Sequence, residues 1–97
     1  MDESNRLEVE LAEAEMLRVL DAARGVLPAS QVAEMTELVR AGEPGVALEI
    51  LCAQLEEHDA TLAPGALLEL EAAAERMGIH LSPWIVRELR RGGRADP

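Results

Sequence analysis

Glycine and proline divide this chain at Gly25–Pro28, Gly42–Gly45, Pro64 and Gly78–Pro83, and every piece between carries apolar residues at helical spacing. Proline removes a backbone donor and fixes φ, so it interrupts helices but suits their first turn. No piece alternates apolar and polar residues as a half-buried strand does, and Trp84 is the lone aromatic residue. The chain is therefore expected to be all-α: a compact bundle of four to five short helices with short connections. Its 97 residues fit one domain that buries roughly two-thirds of the unfolded surface.

The first helix is expected over 4–24. At about 100° per residue, Val9, Ala12, Met16, Val19, Leu20 and Ala23 form one stripe. Leu7, Leu11 and Ala14 fall on the opposite side. A helix apolar on two sides is either central to its bundle or carries a surface for a partner. The second helix, from 28 or 30 to 41, turns Val32, Met35, Leu38 and Val39 inward and ends at Gly42 as a left-handed cap. In the third, 44–58, Ala47, Ile50, Leu51 and Gln54 are the expected inward stripe, flanked by Val46, Leu48 and Leu55. Glu49, Cys52, Ala53 and Glu56 should face away. The fourth, 64–77, buries Leu67, Leu70, Ala74 and Met77 and stops at Gly78. Ser82 and Pro83 start a fifth, 83–91, with Ile85, Val86 and Leu89 inward. The organisation is an acidic leader, 1–15, continuing into the first helix, one helical domain over 4–91, and a frayed tail at 92–97.

Charge is distributed unevenly. The net charge is −10, and every basic residue besides the two histidines is arginine. Residues 1–15 hold Asp2, Glu3, Glu8, Glu10, Glu13 and Glu15 against Arg6 alone. Residues 41–75 hold Glu43, Glu49, Glu56, Glu57, Asp59, Glu69, Glu71 and Glu75 and no arginine. The C-terminal piece reverses sign, with Arg76, Arg87, Arg90, Arg91 and Arg94. Such a field repels phosphate backbones, so direct nucleic-acid binding is disfavoured, and it speeds encounter with a basic protein.

Catalytic and metal chemistry find little support. Cys52 and His58 are six positions apart on one helix, whereas ligands sharing a helix face sit three or four apart; His80 completes no zinc pattern. Ser30 and Ser82 read as helix starts and Ser4 lies in the leader, so no serine sits on a strained turn beside a base. Gly42–Gly45 lacks the Lys and Ser/Thr of a phosphate loop. The chain is expected to be no enzyme and to need no cofactor or metal. One cysteine excludes a disulfide framework. No charge-free stretch exceeds about ten residues, against the roughly 18 needed to span a bilayer. The acidic start at Asp2 and Glu3 is unlike a secretory signal, so no membrane partner and a cytoplasmic location are expected. Trp84 reads either as a ring folded over the bundle end or as an interface anchor.

The run Gly42-Glu43-Pro44-Gly45-Val46-Ala47-Leu48-Glu49-Ile50-Leu51-Cys52-Ala53-Gln54-Leu55 resembles the signature of the MafI-like immunity proteins of bacterial polymorphic toxin systems. In that family a "GE-x-G-x-A-L-E-x-L" segment follows a helix starting near "LP", here Leu27-Pro28, and precedes a "Q-L", an acidic stretch and a "Leu-x-Pro" helix start. The last two are Glu56-Glu57-His58-Asp59 and Leu62-Ala63-Pro64, and Met77-Gly78 matches a helix end. The likeness covers about 27–90, with Glu56 and Glu57 standing where the family has an aromatic residue after the "Q-L". The signature describes a tight turn feeding a closely packed helix, so residues that meet a toxin lie outside it and vary with the toxin.

The resemblance implies an immunity protein that binds a cognate toxin domain in the cytoplasm and neutralises it by occlusion. The acidic middle favours a basic, nuclease-type toxin, and Glu49, Glu56, Glu57, Asp59, Glu69, Glu75 and Trp84 are the expected contacts. The alternative is a helical adaptor or homotypic module with no toxin partner, a homodimer through Leu7 and Leu11 aided by Trp84.

Overall fold

The structure is a computed structural model that describes the backbone of residues 3–94 and the side chains of 3–91. Among the described residues there are five helices and no strand. They are α1 Glu3–Ala23, α2 Ala29–Arg40, α3 Pro44–Glu57, α4 Pro64–Met77 and α5 Pro83–Arg94. The chain breaks where glycine and proline put them. α5 continues through 92–94, past the expected end at Arg91, because two glycines weaken a helix without blocking its hydrogen bonds. The rest of the expected tail, 95–97, and the leader's Asp2 lie outside the described residues.

The helix ends show how the turns are built. After α2, Gly42 adopts φ +86°, its N–H bonds to the Val39 carbonyl (3.0 Å), and Glu43 N–H bonds to that of Leu38 (2.9 Å). That pair of reversed bonds, a Schellman motif, satisfies two carbonyls the helix leaves open. α4 ends the same way around Gly78, through Ile79 N–H to Ala74 (2.9 Å). α3 repeats the pattern with a residue that is not glycine. Asp59 has φ +50°, its N–H reaches the Glu56 carbonyl (3.1 Å), and Ala60 N–H reaches that of Leu55 (2.8 Å). At the other ends, Ser82 Oγ accepts from Ile85 N–H (3.3 Å) to start α5. Ser30 starts nothing: α2 begins at Ala29 behind Pro28, without a side-chain cap.

α1 packs most extensively against α4, then α2, with α3 beneath it, and α5 closes over α4 and α3. One continuous core joins all five helices, with Met16, Leu20, Met35, Leu48, Leu51, Leu55, Leu70 and Ile85 almost fully enclosed. Burying a side chain of this size contributes about 1.5–3 kcal/mol, so this cluster dominates the stability. Leu27 and Leu62, both in connections, also plug into it.

Two stripes differ from the periodic expectation. In α1, Val9 is exposed although it shares the stripe of Ala12 and Met16. All of 3–11 is exposed, so these first turns extend past the helices that cover the rest of α1. In α3 the buried set is Pro44, Ala47, Leu48, Leu51, Cys52 and Leu55. Ile50, expected inside, is exposed, and Cys52, expected outside, is 6% exposed. Gly45 owes its place to packing: a Cβ there would stand 3.1 Å from Ile79 Cδ1.

Candidate protein-binding face

The rotation of α3 defines a surface. Val46, Ile50, Ala53 and Glu57 recur at helical spacing on its outward side, with Glu49 and Glu56 alongside. Val46 is 42% and Ile50 37% exposed. An apolar centre with a carboxylate rim is the anatomy of a protein-binding patch. None of Glu49, Glu56, Glu57 and Asp59 pairs with an arginine among the described residues. The last turn of α3 has no basic residue, and its acids meet the negative end of the helix dipole. Each carboxylate so placed costs about 0.3–1 kcal/mol relative to a neutral residue there. Asp59 adds the left-handed backbone already described.

The expected contact residues therefore divide. Glu49, Glu56, Glu57 and Asp59 come together on α3 and the turn after it. Glu75 is exposed on α4, apart from that cluster. Glu69 is not free: its carboxylate accepts from Arg18 Nε on α1. Trp84 is half-buried and packed against the core.

A second charge cluster, absent from the expected set, ties α1 to α4. Arg76 donates from Nε (3.0 Å) and Nη2 (3.1 Å) to the two oxygens of Glu15, and from Nη1 to Glu8 (2.9 Å). These hydrogen bonds, those of Glu15 foremost, hold the Arg76 guanidinium charged well above the ordinary arginine range. Glu15 is 8% exposed, which makes this a structural clasp. The sequence does carry a signal for it: Glu15 interrupts the stripe between Ala12 and Val19, and a buried carboxylate requires a cation.

The remaining chemical residues stay apart. Burial, reinforced by Glu49 and opposed by a hydrogen bond from the Ser82 backbone, pushes the Cys52 thiol up to about 11. It is therefore a poor nucleophile at neutral pH. His58 and His80 are exposed, and no three His, Cys, Asp or Glu side chains are grouped as metal ligands among the described residues. A shallow groove of about 510 Å³ runs along α2, lined by Arg24, Val32, Thr36, Glu37 and Arg40 among others, and holds none of the expected contacts. No helix among the described residues is long and apolar enough to cross a membrane. Comparison with protein-family models, with curated proteins and with solved structures finds no match to this chain.

Proposed function

We propose that this chain is an immunity protein that binds a basic toxin domain and neutralises it by covering its working surface. The observation that carries the reading is the outward face of α3, where Glu49, Glu56, Glu57 and Asp59 stand exposed, without an arginine partner among the described residues, around Val46, Ile50 and Ala53. Carboxylates held against a helix dipole weaken the fold, and contact with a cationic partner gives them a use. The likeness of the Gly42–Leu55 run to the MafI-like signature supports the toxin as that partner; contrary to the expectation that a toxin is met outside that run, its exposed residues Val46, Glu49, Ile50 and Ala53 belong to the proposed contact. In this reading the protein acts in the cytoplasm, before the toxin meets its substrate. The rim steers encounter through long-range attraction, and the apolar centre holds the complex once formed.

Stopped-flow association with a purified toxin domain, taken from the gene beside this one, tests the proposal. The rate should fall steeply as salt rises and by about tenfold or more in the Glu56→Arg/Glu57→Arg variant. Absence of binding, or a rate indifferent to both salt and charge reversal, contradicts it.

A further inference from the structure

α5 carries the one helix face among the described residues on which three arginines stand together, Arg87, Arg90 and Arg91. We propose that this face is the second half of the toxin contact and takes a carboxylate-bearing patch on the toxin, beside the basic surface that meets α3. The inference rests on the toxin reading and adds a partner chemistry to it.

Spacing in the sequence sets the cluster. Positions three and four apart are neighbours on a helix, so Arg87 stands beside both Arg90 and Arg91. Ile85 is fully enclosed in the core, and Leu89 packs against the core from the same side of α5. That rotation turns the three arginines to the opposite side, where all are exposed. Arg91 reaches back to the buried Glu88 (Nη1 to Oε2, 3.5 Å) and still leaves 69% of its side chain exposed. Arg87 and Arg90 make no ion pair among the described residues. Arg18 and Arg76, by contrast, are held within the fold by Glu69, Glu8 and Glu15. Like charges at these spacings destabilise a helix, and an anionic partner relieves the repulsion.

α5 starts against the carboxylate edge of α3. The backbone of Ser82, the residue that caps α5, makes a hydrogen bond with the Cys52 thiol. Glu49 and Glu56 are three and four positions from Cys52, hence its neighbours on α3, and both are exposed. Trp84 follows two positions after Ser82, half-buried, on the stripe that Arg87 and Arg91 continue. Arg91 is about 10 Å from Trp84 along the helix axis. The surface thus changes sign from α3 to α5, with a tryptophan at the start of the basic half. Tryptophan and arginine are enriched among the residues that carry binding energy in interfaces. Two signs side by side also fix how a partner sits, since one orientation alone matches both. A polyphosphate such as DNA fits poorly, because its uniform negative charge would meet the α3 carboxylates beside the arginines and a chain of net charge −10. A compact carboxylate patch on an otherwise basic protein meets neither objection.

Charge reversal on α5 tests this through the sign of the effect. Arg87→Glu/Arg90→Glu takes the net charge from −10 to −14, because each substitution exchanges a positive for a negative charge. Were the arginines only solvated, the more negative chain would bind a basic toxin as well or better. The proposal predicts the reverse: affinity for the purified toxin domain, measured by isothermal titration calorimetry, falls by about tenfold or more. Helicity should be unchanged, because both positions are exposed, and Arg87→Gln/Arg90→Gln should show a smaller loss of the same sign. Affinity equal to or above that of the wild type overturns the proposal and leaves the α3 reading standing. A wild-type chain that binds no toxin overturns both. A short labelled DNA duplex that the wild type retains and the Arg87→Glu/Arg90→Glu variant releases assigns the arginines to phosphate, and also overturns the proposal.

Discussion

Asp59 lies in the left-handed region at φ +50°, one position beyond the His58 cap of α3, and it carries a negative charge at the negative end of that helix. Replacing it by glycine removes both penalties. Left-handed backbone costs an L-residue roughly 1–2 kcal/mol, with aspartate among the more tolerant. Losing the carboxylate gains about 0.3–1 kcal/mol. The greater freedom of glycine in the unfolded chain takes back about 0.5–1 kcal/mol. The balance is a stabilisation of about 1 kcal/mol, a rise in Tm of about 4–8 °C for a domain this size. Asp59→Asn separates the causes, since it drops the charge but tolerates the same backbone, and should gain about half as much. Asp59→Ala drops the charge and meets the full backbone cost, so it should be the least stable of the three variants. Thermal melts followed by circular dichroism give the order. Glycine no more stable than aspartate, or alanine equal to glycine, would refute the reasoning about this turn. The same Asp59→Gly variant should bind the toxin more weakly while melting higher, because the charge that strains α3 is the one assigned to the partner.

Alkaline pH isolates Cys52, because the chain has no lysine and no tyrosine. The folded thiol keeps its proton up to about 11, against 9.0 for the free group. Stability should thus be intact below about pH 9 and fall by on the order of 1–2 kcal/mol toward pH 11, after allowance for solvent screening. Urea melts at both ends of that window check it, with Cys52→Ala as the flat control; an equally flat wild type contradicts it. Gly45 and Gly65 follow the first prolines of α3 and α4 but differ in surroundings. Gly65→Ala, with open space around it, should stabilise by about 0.5–1 kcal/mol. Gly45→Ala should gain less, because Ile79 must move, and Gly45→Val should lose about 1–3 kcal/mol; chemical denaturation of the three variants orders them. Glu57→Arg alone places a cation at the end of α3 and should raise stability by a few tenths of a kcal/mol while slowing toxin association, a divergence that melts and stopped-flow reveal together.

Helix number, order and breaks were legible because glycine and proline act locally, and Gly42, Pro44, Pro64, Gly78 and Ser82–Pro83 each did in the structure what their chemistry requires. The facing of α3 was less legible for a definite reason. From Val46 to Leu55 only Glu49 and Gln54 interrupt the apolar residues, so the run fits two rotations nearly equally well. Neighbouring helices settle the matter by enclosing Leu48, Cys52 and Leu55 and leaving Ile50 outside. Val9 fails differently: periodicity gives its azimuth but not where the covering helices end. Among the expected contacts, the sequence placed Glu49 and Glu56 on one outward face, and the structure joins Glu57 and Asp59 to them. It could not show that Arg18 occupies Glu69, since that pair joins residues distant in the chain.

Neutralisation of a toxin through the acidic face of α3 is tested most directly in growing bacteria. The candidate toxin domain is expressed alone, with the wild-type chain, and with the Glu56→Arg/Glu57→Arg variant at equal abundance. Growth restored by the wild type, restored less by the variant, and unaffected by either against a non-cognate toxin is the predicted result. Arrested growth despite abundant folded wild-type protein contradicts the immunity reading, and equal rescue by the variant contradicts the assignment of the α3 face.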